Sequence, residues 1–291
     1  MSITHINPNL LYSAAERKKA NIGELLVSMG KMSMDEVQRV LEWQQKSGSR
    51  FGEVAQKLGY VTETDVRHAL AIQFDYAYLG SGQGDFSKEL TAAYQPFSPQ
   101  VEALRALRSQ LNLHWFNRGH KLLAVVSANA GEGSSSLAAN LAVVFSQLGE
   151  RTLLVDANLR EPAQQAIFNI TQSRGLSDIL IGRADLGVIA KIEELSGLHV
   201  LPAGTAPPNP QELLSRKSFN ELIVRFREQY DVVIVDTPPA SMNSDAQTVA
   251  SRCGGALLVS RMHETRLSDL INVRDQLIVS DVQIVAAIVN D

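Results

Sequence analysis

From about residue 120 the chain carries short runs that are apolar at nearly every position: LLAVV (122–126), TLLVD (152–156), LHVLP (198–202), DVVIVD (231–236), ALLVS (256–260) and VQIVAAIVN (282–290). Helix-length stretches separate most of them. Strands without an inward/outward alternation are strands buried on both faces, so the pattern predicts an α/β fold with a doubly wound parallel sheet. Ligands of such sheets bind beyond the carboxyl ends of the strands. The polar residues that directly follow each run are therefore the candidates for chemistry.

The first 80 residues obey a different rule, and the segment repeats itself at a 29-residue offset. IGELLVSMGKMSMDEVQRVLEWQ (22–44) aligns with FGEVAQKLGYVTETDVRHALAIQ (51–73), so that Gly23, Glu24, Gly30, Val37, Leu41 and Gln44 recur as Gly52, Glu53, Gly59, Val66, Leu70 and Gln73. The repeat predicts a helix pair used twice. Gly30 and Gly59 stand where a first short helix ends in left-handed backbone. Ser33 with Glu36, and Thr62 with Asp65, form capping starts for the second helix. Val37 and Leu41, then Val66 and Leu70, have the i, i+4 spacing of a shared core. The expected organisation is a small all-α domain (1–80), a turn-rich linker (81–98) holding one short helix in SKELTAAY, and the α/β domain (99–291).

Composition narrows the function. The chain of 291 residues has a net charge of −4, which gives no global attraction for nucleic acid or for a membrane surface. A single cysteine, Cys253, excludes an intramolecular disulfide, and the six histidines lack metal-ligand spacing. No apolar run approaches the roughly 18 residues of a membrane span, and the N-terminus has no signal-like core. A cytoplasmic protein is expected, held at a membrane only through another chain.

After the first run comes SANAGEGSSS. Gly131 and Gly133 let the backbone curl its N–H groups inward, and the next helix aims its positive end at the same point. This is the grammar of a phosphate-binding loop. Gly131, Glu132, Gly133, Ser134, Ser135 and Ser136 are the candidate phosphate contacts, with the Ser135 hydroxyl aligned as a magnesium ligand. Asp156 closes the second run and Asp236 the fourth. Two aspartates at separate strand ends beside a glycine loop suit a magnesium–triphosphate site. Arg261 and Asn290 close the fifth and last runs and join the candidate nucleotide contacts.

Residues 95–291 resemble the bacterial tyrosine kinases of polysaccharide operons, relatives of MinD/ParA ATPases with a P-loop NTPase fold. The resemblance rests on EALRALR, the loop at 127–136, LLVDANLREP, LPAGTAPPNPQELLSR, YDVVIVDTPP and SDAQTVA; the chain-length-determinant kinase subgroup is the best match. It implies ATP or ADP with Mg²⁺ as cofactors and roles for Asp156 and Asp236 in catalysis and metal binding. It also implies homo-oligomeric rings through Glu102, Arg105 and Arg108, and a membrane-embedded chain-length-determinant protein as partner, which would place the chain at the inner membrane. The first domain resembles the N-terminal domain of type II secretion and type IV pilus ATPases. Some members of that group bind cyclic di-GMP, which here implicates Arg50, Gly52 and Gly59. Asn21 replaces the arginine in the first copy, and the repeats themselves are read first as a compact docking module that only builds a core.

Three positions depart from the kinase pattern. The loop lysine is Ser134, the earlier lysine of partition ATPases is Asn129, and the second acid of DxDxR is Asn158. A loop lysine makes charge-assisted bonds worth about 1.5–3 kcal/mol each, and cations on a transferring phosphoryl are worth roughly 10³–10⁵ in rate. Binding is therefore expected to outlast transfer, with Arg160, Arg261 or a neighbour's arginine as replacement cations. The clustered tyrosine tail of such kinases is missing; only Tyr76 and Tyr78 lie close together. An ATPase switch and a cyclic di-GMP scaffold without ATP chemistry are the competing readings. Trp43 and Trp115 are expected to pack on amphipathic helices, and the basic cluster around His114 and His120 to be a solvated face or an oligomer contact.

Overall fold

The computed structural model describes residues 20–74, 79 and 84–291, and the chain divides into two compact units between Ala77 and Tyr78. Tyr76 and Tyr78 lie outside the described residues. In the first unit, α1 (Ile22–Ser28), α2 (Met34–Ser47), α3 (Phe51–Lys57) and α4 (Glu63–Gln73) form the expected two helix pairs. Ser33 and Thr62 each accept a hydrogen bond from the backbone N–H three residues on, and Glu36 and Asp65 in turn accept from the N–H of the cap. Asn21 with Glu24 makes a third such box at 2.9 and 3.1 Å.

The repeated glycines of this unit answer to packing. A Cβ on Gly23 would stand 3.1 Å from Val37, and one on Gly52 2.7 Å from Val66. The same helix-on-helix contact is thus made twice: a Cβ at 52 would collide with Val66, and one at 23 would press on Val37 and Phe51. Val40 and its repeat partner Ala69 fill the centre of this core. Leu41 and Leu70 do not: they are 41% and 37% exposed. A 3.6-residue period leaves two adjacent positions competing for one inward direction, and residues 40 and 69 take it. Trp43 is also exposed rather than packed.

The second unit is built on a seven-stranded sheet ordered β3-β4-β2-β5-β1-β6-β7. Its strands are β1 (Leu122–Ser127), β2 (Thr152–Asp156), β3 (Ala190–Lys191), β4 (Leu198–Leu201), β5 (Val232–Asp236), β6 (Gly255–Arg261) and β7 (Gln283–Asn290). All neighbours are parallel except the two-residue β3, which pairs antiparallel with β4 and which the hydrophobic pattern is too short to announce. Leu122, Ala124 and Val126 point into one core, Leu123 and Val125 into the other. Burial on both sides is why the runs of β1, β2, β5 and β6 are apolar throughout, whereas β7, at the sheet edge, is only partly buried.

The helices of this unit continue as α5 (Thr91–Tyr94), α6 (Pro99–His114), α7 (Ser134–Ser146), α8 (Gln164–Ile167), α9 (Leu176–Leu180), α10 (Pro210–Ser215), α11 (Lys217–Gln229), α12 (Asp245–Cys253) and α13 (Leu267–Val279). Trp115, at the end of α6, is buried; its indole N–H donates to the Leu122 carbonyl at 2.8 Å, and His120 stacks on its ring at 3.7 Å. No helix among the described residues is long and apolar enough to cross a membrane.

Residues 84–98, expected as linker, pack on this unit. Leu90, Ala92 and Ala93 are fully buried. The Asn140 side chain of α7 accepts from Ala92 N–H at 2.8 Å and donates to the Glu89 carbonyl at 2.8 Å. Ser87 N–H reaches the Ile167 carbonyl at 2.8 Å. The turn-rich composition reports irregular backbone, not solvation.

Candidate functional site

The order of strands reverses around β1 and β5, and the loop 128–133 leaves β1 at that crevice. Gly133 caps α7 with φ +81, in the left-handed region, and a Cβ there would strike the Asn290 side chain. The positive φ demands glycine, and the Asn290 amide occupies the space a Cβ would take. The loop is stapled from beneath by Glu132, which is buried. Its carboxylate accepts from the Ala128 N–H at 2.9 Å, from the Asn129 amide at 3.2 Å and from the Thr265 hydroxyl at 2.6 Å. Asn290 donates to the Glu132 carbonyl at 3.3 Å, and Arg261 to the Gly131 carbonyl at 3.1 Å. Glu132 and Asn290 therefore hold the loop's shape, and the Glu132 carboxylate is turned away from the cleft it was expected to serve.

The loop opens onto a cleft of 210 Å³ lined in part by Gly131, Gly133, Ser134, Ser135, Ser136 and Asn158. No lysine or arginine lines it among the described residues. At the lysine position, the Ser134 hydroxyl accepts from Ser127 at 3.2 Å. Of the replacement cations, Arg160 is ion-paired at 2.8 Å with the buried carboxylate of Asp245, whereas Arg261 touches the loop itself.

Asp156 and Asp236 are paired in register on β2 and β5, and both are fully buried. Asp156 accepts the N–H groups of Asn158, Ala163 and Gln164 at 3.1, 3.0 and 2.9 Å. Asp236 accepts the Gln164 amide at 2.7 Å through one oxygen; the other, Oδ1, is buried with no partner. Burial, and then the neighbouring charge of Asp236, push Asp156 up to about 8. Burial pushes Asp236 up to about 6, against the hydrogen bond from Gln164. Two carboxylates this close resist ionising together, so the pair holds a proton near neutral pH unless a cation joins them.

The donor set fits Mg²⁺, a cation of oxygen ligands: the Ser135 hydroxyl and two carboxylates, one of them with an orphaned oxygen, lie beside the loop. Gln164 is the residue that sequence reasoning missed. Besides Asp236 it bonds the Ser135 carbonyl at 3.1 Å, so it ties the loop helix to the acid pair. A neutral residue eight positions past a strand carries no signal of its own.

A family model described as an AAA domain matches residues 120–253. The tyrosine-protein kinase YwqD of Bacillus subtilis is 34% identical over 203 residues, 70% of this chain and 86% of YwqD. The chain belongs to the bacterial tyrosine-protein kinase family. The kinase domain of the Escherichia coli tyrosine kinase ETK superposes with a TM-score of 0.67 at 33% identity, covering 69% of this chain and 79% of that domain. EpsB of Ralstonia solanacearum is 34% identical over 221 residues, 73% of this chain, but the chain spans only 30% of EpsB.

Within this kinase fold, the remaining candidates separate in space. Glu102 and Arg105 pair with each other on α6, and Arg108 donates to the Val144 carbonyl at the end of α7 at 2.6 Å. Lys121, of the basic cluster, bonds the Tyr230 carbonyl at 3.0 Å. Arg50, Gly52 and Gly59 belong to the first unit: Arg50 caps α3, and Gly59 has φ +74 after it.

Proposed function

We propose that this chain binds a magnesium nucleotide, ATP or ADP, and regulates exopolysaccharide synthesis and chain length with a membrane-embedded chain-length-determinant partner. Phosphotransfer to tyrosine is slow in the absence of a loop lysine. The observation that carries the reading is Asp236 Oδ1, a buried acceptor without a donor, standing where an intact phosphate loop and a second carboxylate converge. A buried orphan of this kind costs about 1–3 kcal/mol, more when charged, and a metal ion or its water removes that cost. When bound, magnesium supplies the positive charge that the loop side chains lack.

The residues divide the work. Backbone N–H groups of 131–136 cradle the phosphates, and the Ser135 hydroxyl with Asp156 and Asp236 hold the metal. Gln164 fixes the orientation of Asp236, and Arg261 offers the nearest cation to the loop. Asp156 is the catalytic aspartate of this reading, and the proton that the pair holds belongs to the pair rather than to either carboxylate. Neighbouring copies assemble through the face bearing Glu102, Arg105 and Arg108. Calorimetry with Mg–ADP and Mg–ATP tests binding, and labelled ATP with and without the partner's cytoplasmic tail tests transfer. No nucleotide heat at millimolar ligand removes the reading.

A second reading concerns the first unit: cyclic di-GMP binding near Arg50. The observation in its favour is that Leu41 and Leu70, equivalent in the repeat, are both exposed instead of building the core. A titration with cyclic di-GMP that leaves Arg50→Ala and the parent indistinguishable discards it.

A further inference from the structure

The segment 84–98 does more than cross the surface of the second unit. Its Glu89 carboxylate accepts the Ser136 hydroxyl hydrogen bond at 2.6 Å. Ser136 lies in the first turn of α7 and lines the cleft over the phosphate loop. We propose that Glu89 is an acidic gate on the nucleotide site, one that competes with a bound phosphate for Ser136 and lowers nucleotide affinity. The inference rests on the nucleotide-binding reading above.

Three observations support it. A serine hydroxyl has one proton, so while Ser136 donates to Glu89 it cannot donate to a phosphate. The carboxylate also places a negative charge against Ser136, at a cleft whose lining already holds Glu161 and no lysine or arginine to offset it. Glu89 is not free to drift away: its own carbonyl is held by Asn140 at 2.8 Å, and the next residues are fixed by Ala92 N–H to Asn140 and by Gln147 to the Ala92 carbonyl at 3.1 Å. The backbone is thus anchored to the loop helix while the side chain is exposed. The carboxylate can swing out when a phosphate enters, and it returns when the phosphate leaves.

The position of this gate matters because the same segment is the covalent continuation of the helical unit. An event that lifts residues 84–92 from α7 withdraws Glu89 from Ser136 and raises affinity at the loop. By linkage, a bound nucleotide weakens the hold of the segment by the same factor.

The test is calorimetry of Mg–ADP and Mg–ATP with the full chain, comparing the parent with Glu89→Gln and Glu89→Ala. Both variants should bind about fivefold tighter, the scale of an exposed charge interaction, and the gain should shrink in high salt. Asp85→Asn removes an equal charge from the same segment without touching Ser136 and should leave affinity unchanged. Parent-like or weaker binding by both Glu89 variants overturns the gate while leaving nucleotide binding intact. An equal gain in Asp85→Asn overturns it too, because net charge alone would then explain the effect. No nucleotide binding by parent or variants removes both the gate and the reading beneath it.

Discussion

The phosphate loop and the acid pair sit at the ends of neighbouring strands, β1 for the loop and β2 and β5 for the pair, yet they hold their shapes by opposite means. The loop is supported from outside. Glu132 bonds Ala128 N–H, and Arg261, Asn290 and Thr265 brace it from β6, β7 and the turn after β6. None of these bonds involves a side chain of residues 134–136. The acid pair has no such separation. Asp156 is itself the acceptor for three backbone N–H groups, and it organises the chain from 158 to 164. A residue can therefore change at position 134 without disturbing the scaffold, whereas at 156 the proposed function and the scaffold fall on the same atoms. That difference explains how a lysine can be absent from a loop of otherwise complete geometry.

Replacing Asp156 is the strongest way to break the comparison. Asp156→Ala should abolish phosphotransfer, a loss of about 10³ or more if the residue serves the reacting group. It should also lower the thermal midpoint, because three buried N–H groups lose their acceptor. Asp156→Asn keeps an acceptor oxygen and separates the two effects: stability should return in part while transfer stays lost. A fully active Asp156→Ala would detach this carboxylate from the chemistry.

Ser134→Lys probes the other side and should leave the fold unchanged. One or more charge-assisted bonds of about 1.5–3 kcal/mol predict a gain in Mg–ATP affinity on the order of 10- to 100-fold, with a rise in transfer. Unchanged affinity with an unchanged melting curve would show that Arg261 already fills the electrostatic role.

The same division decides what could be read in the sequence. The sheet was legible because every central strand is apolar on both faces, and the loop because its glycines and helix start are local in the chain. Asp156 and Asp236 were legible because each is the polar residue that closes an apolar strand. Gln164, Glu89 and Asn140 were not, because their roles come from contacts across 72, 47 and 48 residues of chain. Leu41 and Leu70 show a subtler limit. Helical spacing identifies a stripe, but Val40 and Ala69 beside them take the inward direction.

Glu132 offers a test of intermediate size. Glu132→Ala leaves the buried Ala128 N–H and the Thr265 hydroxyl without their acceptor, at a cost of about 1–3 kcal/mol. The loop should loosen and Mg–ADP affinity should fall although the residue's carboxylate does not face the cleft. Glu132→Gln keeps an acceptor for Ala128 and should recover most of the loss. Equal damage from both substitutions would mean that the charge, rather than the hydrogen bonds, supports the loop.

Asp178 sharpens the comparison with the smallest effect, because it shows what backbone donors do to a carboxylate that has no acidic neighbour. It accepts Gly175 N–H, Thr205 N–H and the Thr205 hydroxyl, each at 3.0 Å, and so fastens α9 to the loop after LPAG. Burial pushes this carboxyl up, but the donors from Thr205 and Gly175 outweigh it and hold Asp178 below the usual range. Asp156 has as many donors and is raised, so the difference lies in its deeper burial, in Asp236, and in the charge of Arg174 beside Asp178. A depressed folded-state pKa means that Asp178 stabilises the protein fully above the unfolded value, roughly 3.9. That stability is lost as pH falls through the folded value. Asp178→Asn should therefore be less stable than the parent by a constant amount, about 1 kcal/mol, from neutral pH down to about pH 4. Below that the gap should close, since protonation removes from the parent what the substitution has already removed. A gap that widens toward low pH in thermal melts would show that Asp178 is protonated in the folded protein, in the manner of the acid pair.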